Sequence, residues 1–248
     1  MGQPNHIKSR VTLRQYGVIA RVFNSPTRWR DAPLARSWRF LTAAMITLFM
    51  VAAHPATAAE PVKIMLFGDS LLAGYGLADE HTVATKLTAA LTEKGQDVTI
   101  INASVSGATT AGGVSRLAWS LSDEPDLIVL ALGGNDILRA IDPANTRENL
   151  TTMMARFDQA DLPVLLAGMI APKSLGPEYA AAFDPIYPEL AAEYEAGFYP
   201  FLLAGVAGDP AMNQNDGIHP NPAGVDRIVE GLTPVLLEML ENTPEHGS

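Results

Sequence analysis

The apolar run Ile64-Met-Leu-Phe67 stops at Gly68, and Ser70 follows two residues later. A short apolar run that ends on a glycine reads as a strand buried on both faces of a parallel sheet. The residue just beyond such a strand lies at the edge where open α/β sheets bind their ligands. The same pattern recurs along the chain, with strands expected at 62–67, 98–102, 127–132 and 164–169 and a shorter one near 198–201. Residues 82–94, 110–121 and 147–161 carry the helical spacing of apolar side chains. Asn221-Pro222 reads as an N-cap followed by proline at the first helical position, opening a last helix that runs to about Glu241. Repeated strand–helix–strand units imply an α/β fold with a parallel sheet covered on both faces. Residues 172–188, punctuated by Pro172, Pro177, Pro185 and Pro188, are expected to form a loop and a short helix near the site. The tail 242–248 is expected to be disordered.

Charge divides the chain in two. Eight basic residues and Asp31 give the first 59 residues +7, and the overall −10 then leaves −17 for residues 60–248. A body that acidic is poorly suited to nucleic acid or to an anionic membrane surface. The basic stretch leads into 14 apolar residues, 40–53, too few for a comfortable membrane span, and then into the small-residue segment His54-Pro-Ala-Thr-Ala-Ala-Glu60. Basic region, apolar region and Ala-x-Ala site read together as a secretory signal, with cleavage near Ala58 or Ala59. The expectation is therefore a leader over 1–59 that is removed and one exported, periplasmic domain over 60–248, with no stable membrane anchor. The chain has no cysteine, so neither a disulfide framework nor a thiolate metal site is available.

Histidine is the commonest general base, and outside the leader and the tail only His81 and His219 remain. In Asn215-Asp-Gly-Ile-His-Pro-Asn-Pro222, Asp216 precedes His219 by three residues, and Gly217 allows a sharp turn between them. That spacing can bring the carboxylate to one ring nitrogen and leave the other free, as in the base-and-orienter pair of a hydrolytic triad. An Asx-turn with a histidine at a helix entry would give the same local pattern. Gly133-Gly-Asn135 ends the third strand and offers the Asn135 amide as an uncharged donor for an oxyanion. A turn asparagine is the alternative reading there, and Asp136 is expected to hold its loop through backbone amides. Gly107, after the second strand, can present its backbone N–H without a side chain in the way. Each piece is weak alone. Their joint placement is not, because Ser70, Gly107 and Asn135 follow three successive predicted strands at one edge of a parallel sheet.

The blocks Gly68-Asp-Ser-Leu71, Gly107, Gly134-Asn-Asp136 and Asp216-Gly-Ile-His219 resemble those of the SGNH hydrolases, also called GDSL esterases and lipases. Their order and spacing match over nearly all of 60–248. Asn102-Ala-Ser-Val-Ser-Gly107 and Asp216-Gly-Ile-His-Pro220 are most similar to the periplasmic acyl-thioesterase/lysophospholipase branch and its arylesterase relatives. The resemblance implies a flavodoxin-like three-layer α/β/α sandwich with five parallel strands in the order 2-1-3-4-5, and no cofactor. It implies Ser70 as nucleophile, His219 as base, Asp216 as its orienter, and Ser70, Gly107 and Asn135 as oxyanion donors. No metal-ligand cluster or phosphate-cradling loop is visible in the sequence. Leu71, Ile137, Leu138 and Ile170 are expected to line an apolar rim for aryl or acyl groups, and Arg139 to be a solvated surface residue. The expected partner is a small-molecule ester or thioester substrate, and the expected oligomeric state is a monomer. A carbohydrate O-deacetylase and a lipid-binding module with a dead triad are the competing readings.

Overall fold

The computed structural model describes residues 60–242. The leader, its apolar run and the expected cleavage site lie outside those residues, as does the tail from 243 onward.

Five strands form one parallel sheet: β1 (Val62–Gly68), β2 (Val98–Asn102), β3 (Leu127–Ala131), β4 (Val164–Ala167) and β5 (Gly197–Tyr199), in the order β2-β1-β3-β4-β5. Every neighbouring pair is parallel, with Leu66 level with both Asn102 and Val129. The ends of β1, β2 and β3 therefore fall at one edge. Ile64 to Phe67 and Leu127 to Ala131 are essentially inaccessible, as continuous apolar runs in a sheet covered on both faces must be. In this order the connection after β1 runs to β2 on one side, and the connection after β3 runs to β4 on the other. The crevice between the ends of β1 and β3 is the switch point at which such sheets bind ligands.

The helices are α1 (Ser70–Ala73), α2 (Val83–Glu93), α3 (Thr110–Ser120), α4 (Gly134–Leu138), α5 (Pro143–Asp158), α6 (Pro177–Phe183), α7 (Ile186–Glu193) and α8 (Pro222–Asn242). α2 packs against α8, and α3 packs against α5. Thr82 caps α2 by accepting the Thr85 N–H, and Asn221 caps α8 by accepting the Gly224 N–H at 3.1 Å, as Asn-Pro predicts.

Three elements differ from the sequence expectation. α5 begins at Pro143, four residues earlier than expected, because Asp142 accepts the Ala144 N–H at 2.9 Å and Pro143 starts the first turn. The proline-rich segment is not mainly loop: a 3₁₀ turn at Lys173–Leu175 leads into α6 and α7. Pro177 opens α6, and Pro185 and Pro188 fall just before and within the first turn of α7, where no N–H is needed for the helix. The last strand is Gly197–Tyr199 rather than near 198–201.

Asp136 is fully buried and acts between elements rather than within its own loop. It accepts the Thr110 N–H at 2.9 Å and the Thr110 hydroxyl at 2.5 Å, and the Thr146 hydroxyl reaches it at 3.3 Å. The loop after β3 is thereby fixed to the starts of α3 and α5. Beneath that loop, the buried Tyr187 hydroxyl donates to the Leu132 carbonyl at 2.9 Å. Gly133 has φ +116, and a Cβ there would sit 2.0 Å from the Tyr187 oxygen, so only glycine fits.

Candidate active site

β1 stops abruptly, and α1 starts at Ser70 with Asp69 as its N-cap, whose Oδ1 accepts the Leu71 N–H at 3.0 Å. This turn lifts the serine hydroxyl off the sheet edge. Ser70 Oγ lies 2.9 Å from His219 Nε2, and His219 Nδ1 lies 2.6 Å from Asp216 Oδ2. The other carboxylate oxygen of Asp216 accepts the backbone N–H groups of Ile218 at 2.9 Å and His219 at 3.0 Å. A bridge between Asn213 and Pro220 closes the loop, and the Asn221 amide donates to the carbonyls of Ala211 and Asn213 across its base. An acceptor at Nδ1 places the imidazole proton there, which leaves Nε2 as the acceptor facing the serine. The Asp216 carboxyl is lowered to about 2, first by the His219 backbone N–H, then by its imidazole and the Ile218 N–H.

Asn135 and Gly107 stand on the neighbouring loops, and each has a partner that the sequence does not announce. The Asn135 amide donates to Asp69 Oδ2 at 3.1 Å. An amide nitrogen carries two protons, so one N–H is held by Asp69 and the other remains to donate. Asp69 itself is 1% exposed. Burial raises its carboxyl above the ordinary value, opposed by the Leu71 N–H, the Asn135 amide and the charge of His219. The Gly107 carbonyl accepts from Arg139 Nη2 at 3.0 Å, so Arg139, a surface residue as expected, also ties the loop after β2 to the segment after β3.

Arg116 is a further brace. Its guanidinium lies 3.8 Å from the centroid of the Phe67 ring and donates to the Gly68 carbonyl at 2.9 Å and to the Ala103 carbonyl. Burial lowers its pKa, and the nearby Asp69 opposes that shift. One cation thus pins the end of β1 to the start of the Gly107 loop. Ser104 does the same with its hydroxyl, which accepts the Gly68 N–H and donates to the Leu66 carbonyl, both at 3.1 Å.

The expected rim divides. Leu138 and Ile170 are exposed, at 62% and 48%, and Ile137 is half-buried against the core. Leu71 is not a rim residue: α1 turns immediately after β1 and directs this side chain into the core. Val105 and Ile218, absent from the expected set, are exposed on loops that flank the triad. Among the described residues no group of three or more His, Asp and Glu side chains is placed to hold a metal ion.

Residues 66–227 match the model of the GDSL-like Lipase/Acylhydrolase family. The chain belongs to that family. It is 39% identical over 178 residues to the esterase TesA of Pseudomonas aeruginosa, covering 71% of this chain and 89% of that one. It is 35% identical over 185 residues to the Escherichia coli protein named thioesterase 1/protease 1/lysophospholipase L1, covering 72% and 87%. The crystal structure of AlinE4, an SGNH-hydrolase family esterase, superposes with a TM-score of 0.63 at 41% identity, covering 74% of this chain and 99% of that one. The sheet order is that of the SGNH hydrolase fold, and this family member is an ester-hydrolysing enzyme.

Proposed function

We propose that this hydrolase cleaves aryl esters, acyl esters and acyl-thioesters of short to medium chain, and lysophospholipids, through an acyl-enzyme on Ser70. The observation that carries the proposal is the unbroken line from Asp216 through His219 to Ser70, with contacts of 2.6 and 2.9 Å. His219 Nε2 takes the Ser70 proton as Oγ attacks the carbonyl carbon. The carbonyl oxygen, now anionic, is received by the N–H groups of Ser70 and Gly107 and by the free N–H of Asn135. His219 returns the proton to the leaving alcohol or thiol. A water, deprotonated by the same imidazole, then attacks the acyl-enzyme and releases the acid. Asp216 holds the ring in one tautomer and balances the imidazolium charge. The exposed apolar side chains Val105, Leu138 and Ile170, which follow the ends of β2, β3 and β4, and Ile218, which lies between Asp216 and His219, suit an apolar acyl or aryl group.

The proposal is tested by a fluorophosphonate probe followed by peptide mapping: Ser70 is expected to carry the label. Label on another residue, or none on active protein, would overturn it. A panel of aryl ester, acyl-thioester and lysophospholipid substrates then ranks the leaving groups.

The pH profile is a second expected result. With its carboxyl at about 2, Asp216 stays ionised throughout the working range. Loss of kcat/KM on the acid side therefore reports protonation of the imidazole base. The rate falls with unit slope below that limb. A profile flat down to about pH 4 would remove histidine from the base role.

We also read residues 1–59 as an export leader and 60–248 as the working domain, on the basic–apolar–Ala-x-Ala order of the leader. Among the described residues no helix is long and apolar enough to cross a membrane. N-terminal sequencing of protein recovered from a periplasmic fraction is expected to begin at Ala59 or Glu60; a chain that starts at Met1 would sink the reading.

A further inference from the structure

Tyr75 lies five residues beyond the proposed nucleophile, and its ring covers the imidazole of His219. The ring centroids are 4.4 Å apart, and the planes are tilted by 36°, so the aromatic face meets the imidazole. Tyr75 is 52% exposed, so core packing does not dictate this position. The contact is built from outside the ring. Gln214 Nε2 donates both to the Tyr75 carbonyl at 2.8 Å and to the Pro220 carbonyl at 3.0 Å. The backbone N–H of Gln214 donates to the His219 carbonyl at 2.7 Å. One side chain thus clasps the Tyr75 loop to the loop that carries the acid and base. Its fit depends on Gly76, where a Cβ would sit 2.3 Å from Gln214 Oε1.

We infer that Tyr75, held in place by Gln214, is a positioning residue that braces the His219 ring and supports the positive charge the ring takes on in the transition state. The inference rests on the proposed role of His219 as base. A cation within about 6 Å of an aromatic centroid is attracted by the negative face of the ring, and a neutral imidazole much less so. In the reactive enzyme His219 starts neutral and gains its charge as it takes the Ser70 proton. The attraction is then stronger in the transition state than in the ground state, and it acts on kcat rather than on KM. The charged groups that act on His219 are Asp216, from its own loop, and Asp69, at the end of β1. Neither is altered by a change at Tyr75.

The test compares kcat and KM from pH 4 to 9 for the full chain and for Tyr75→Phe, Tyr75→Leu, Gln214→Ala and His219→Ala, with a p-nitrophenyl ester. NMR of the His219 ring protons provides a readout independent of turnover. Tyr75→Phe keeps the ring face and is expected to retain kcat within about twofold, together with the ring-current shift. Tyr75→Leu is expected to lower plateau kcat by about three- to tenfold with KM within twofold, and to lose the ring-current shift. Its acid limb is expected to move to lower pH, because the imidazolium has lost the ring face that favoured it. Gln214→Ala follows in the same direction. A Tyr75→Leu enzyme with unchanged kcat and acid limb, a loss confined to KM, or a Tyr75→Phe enzyme as impaired as Tyr75→Leu would each overturn the inference. His219→Ala separates the two readings: retained turnover there means that the base assignment has failed, whereas lost turnover beside an unaffected Tyr75→Leu means that only the brace has.

Discussion

Ser70→Ala is expected to lower turnover of a p-nitrophenyl ester by about 10⁴-fold or more, with the fold intact. The substitution removes the oxygen that faces His219 Nε2 at 2.9 Å, and with it the atom that forms the acyl bond. What remains is binding and the oxyanion donors, which alone account for a small residual rate. The fold should not notice. The Ser70 side chain bonds to His219 and to nothing that holds the sheet, and alanine is a good residue for the first turn of α1. The Asp69 cap, which accepts from the backbone of Leu71, is unaffected. The checks are kcat, loss of fluorophosphonate labelling, and a thermal melt that overlays the parent. An alanine enzyme with near wild-type kcat would end the nucleophile assignment. One that has lost activity together with its melting transition would show a folding defect, and Ser70→Gly or Ser70→Cys would then be measured in its place.

The parts of the site that could be read in the sequence are those whose physics is local. The strand before Ser70 shows itself because a buried parallel strand must be apolar throughout. Asp216 and His219 show themselves because three residues with a glycine between them close a short loop, and both the 2.6 Å ring contact and the two backbone contacts arise inside it. Even the common edge shared by Ser70, Gly107 and Asn135 follows from local pattern, once every strand is parallel to the next. The supports were hidden for the opposite reason. Asp69 and Asn135 are 66 residues apart, and Gln214 and Tyr75 are 139 apart. Arg116 sits on α3, where it looks like any helix cation, and only the packing of α3 on the sheet brings it over Phe67. No spacing rule encodes such pairs. Leu71 misled for a related reason. An apolar residue after a strand end looks like a rim residue until the turn into α1 is known to point it inward. The prolines of 172–188 misled because proline breaks a helix interior but is tolerated in a first turn, and the sequence does not say where a turn begins.

Asn135→Ala is expected to lower kcat by about 10²- to 10³-fold, or about 3–4 kcal/mol of barrier, with a much smaller change in KM. The size of the effect depends on how well the amide is held before the reaction. Here one amide proton is fixed on Asp69 Oδ2 at 3.1 Å, and Asp69 is in turn locked by the Leu71 N–H at 3.0 Å. The second proton therefore points in a set direction, and no reorganisation is needed when charge develops on the substrate oxygen. Alanine removes that donor and also leaves the buried Asp69 oxygen without its partner, a loss of about 1–3 kcal/mol of stability. The two effects separate by measurement, since kcat is read where the variant is fully folded by denaturant titration. Asn135→Asp sharpens the test. It keeps the size but supplies an acceptor, and it places a second carboxyl beside Asp69, so it should lose at least as much kcat as alanine. A loss confined to KM in both variants would make Asn135 a substrate-binding residue, because an interaction felt equally by substrate and transition state leaves kcat unchanged.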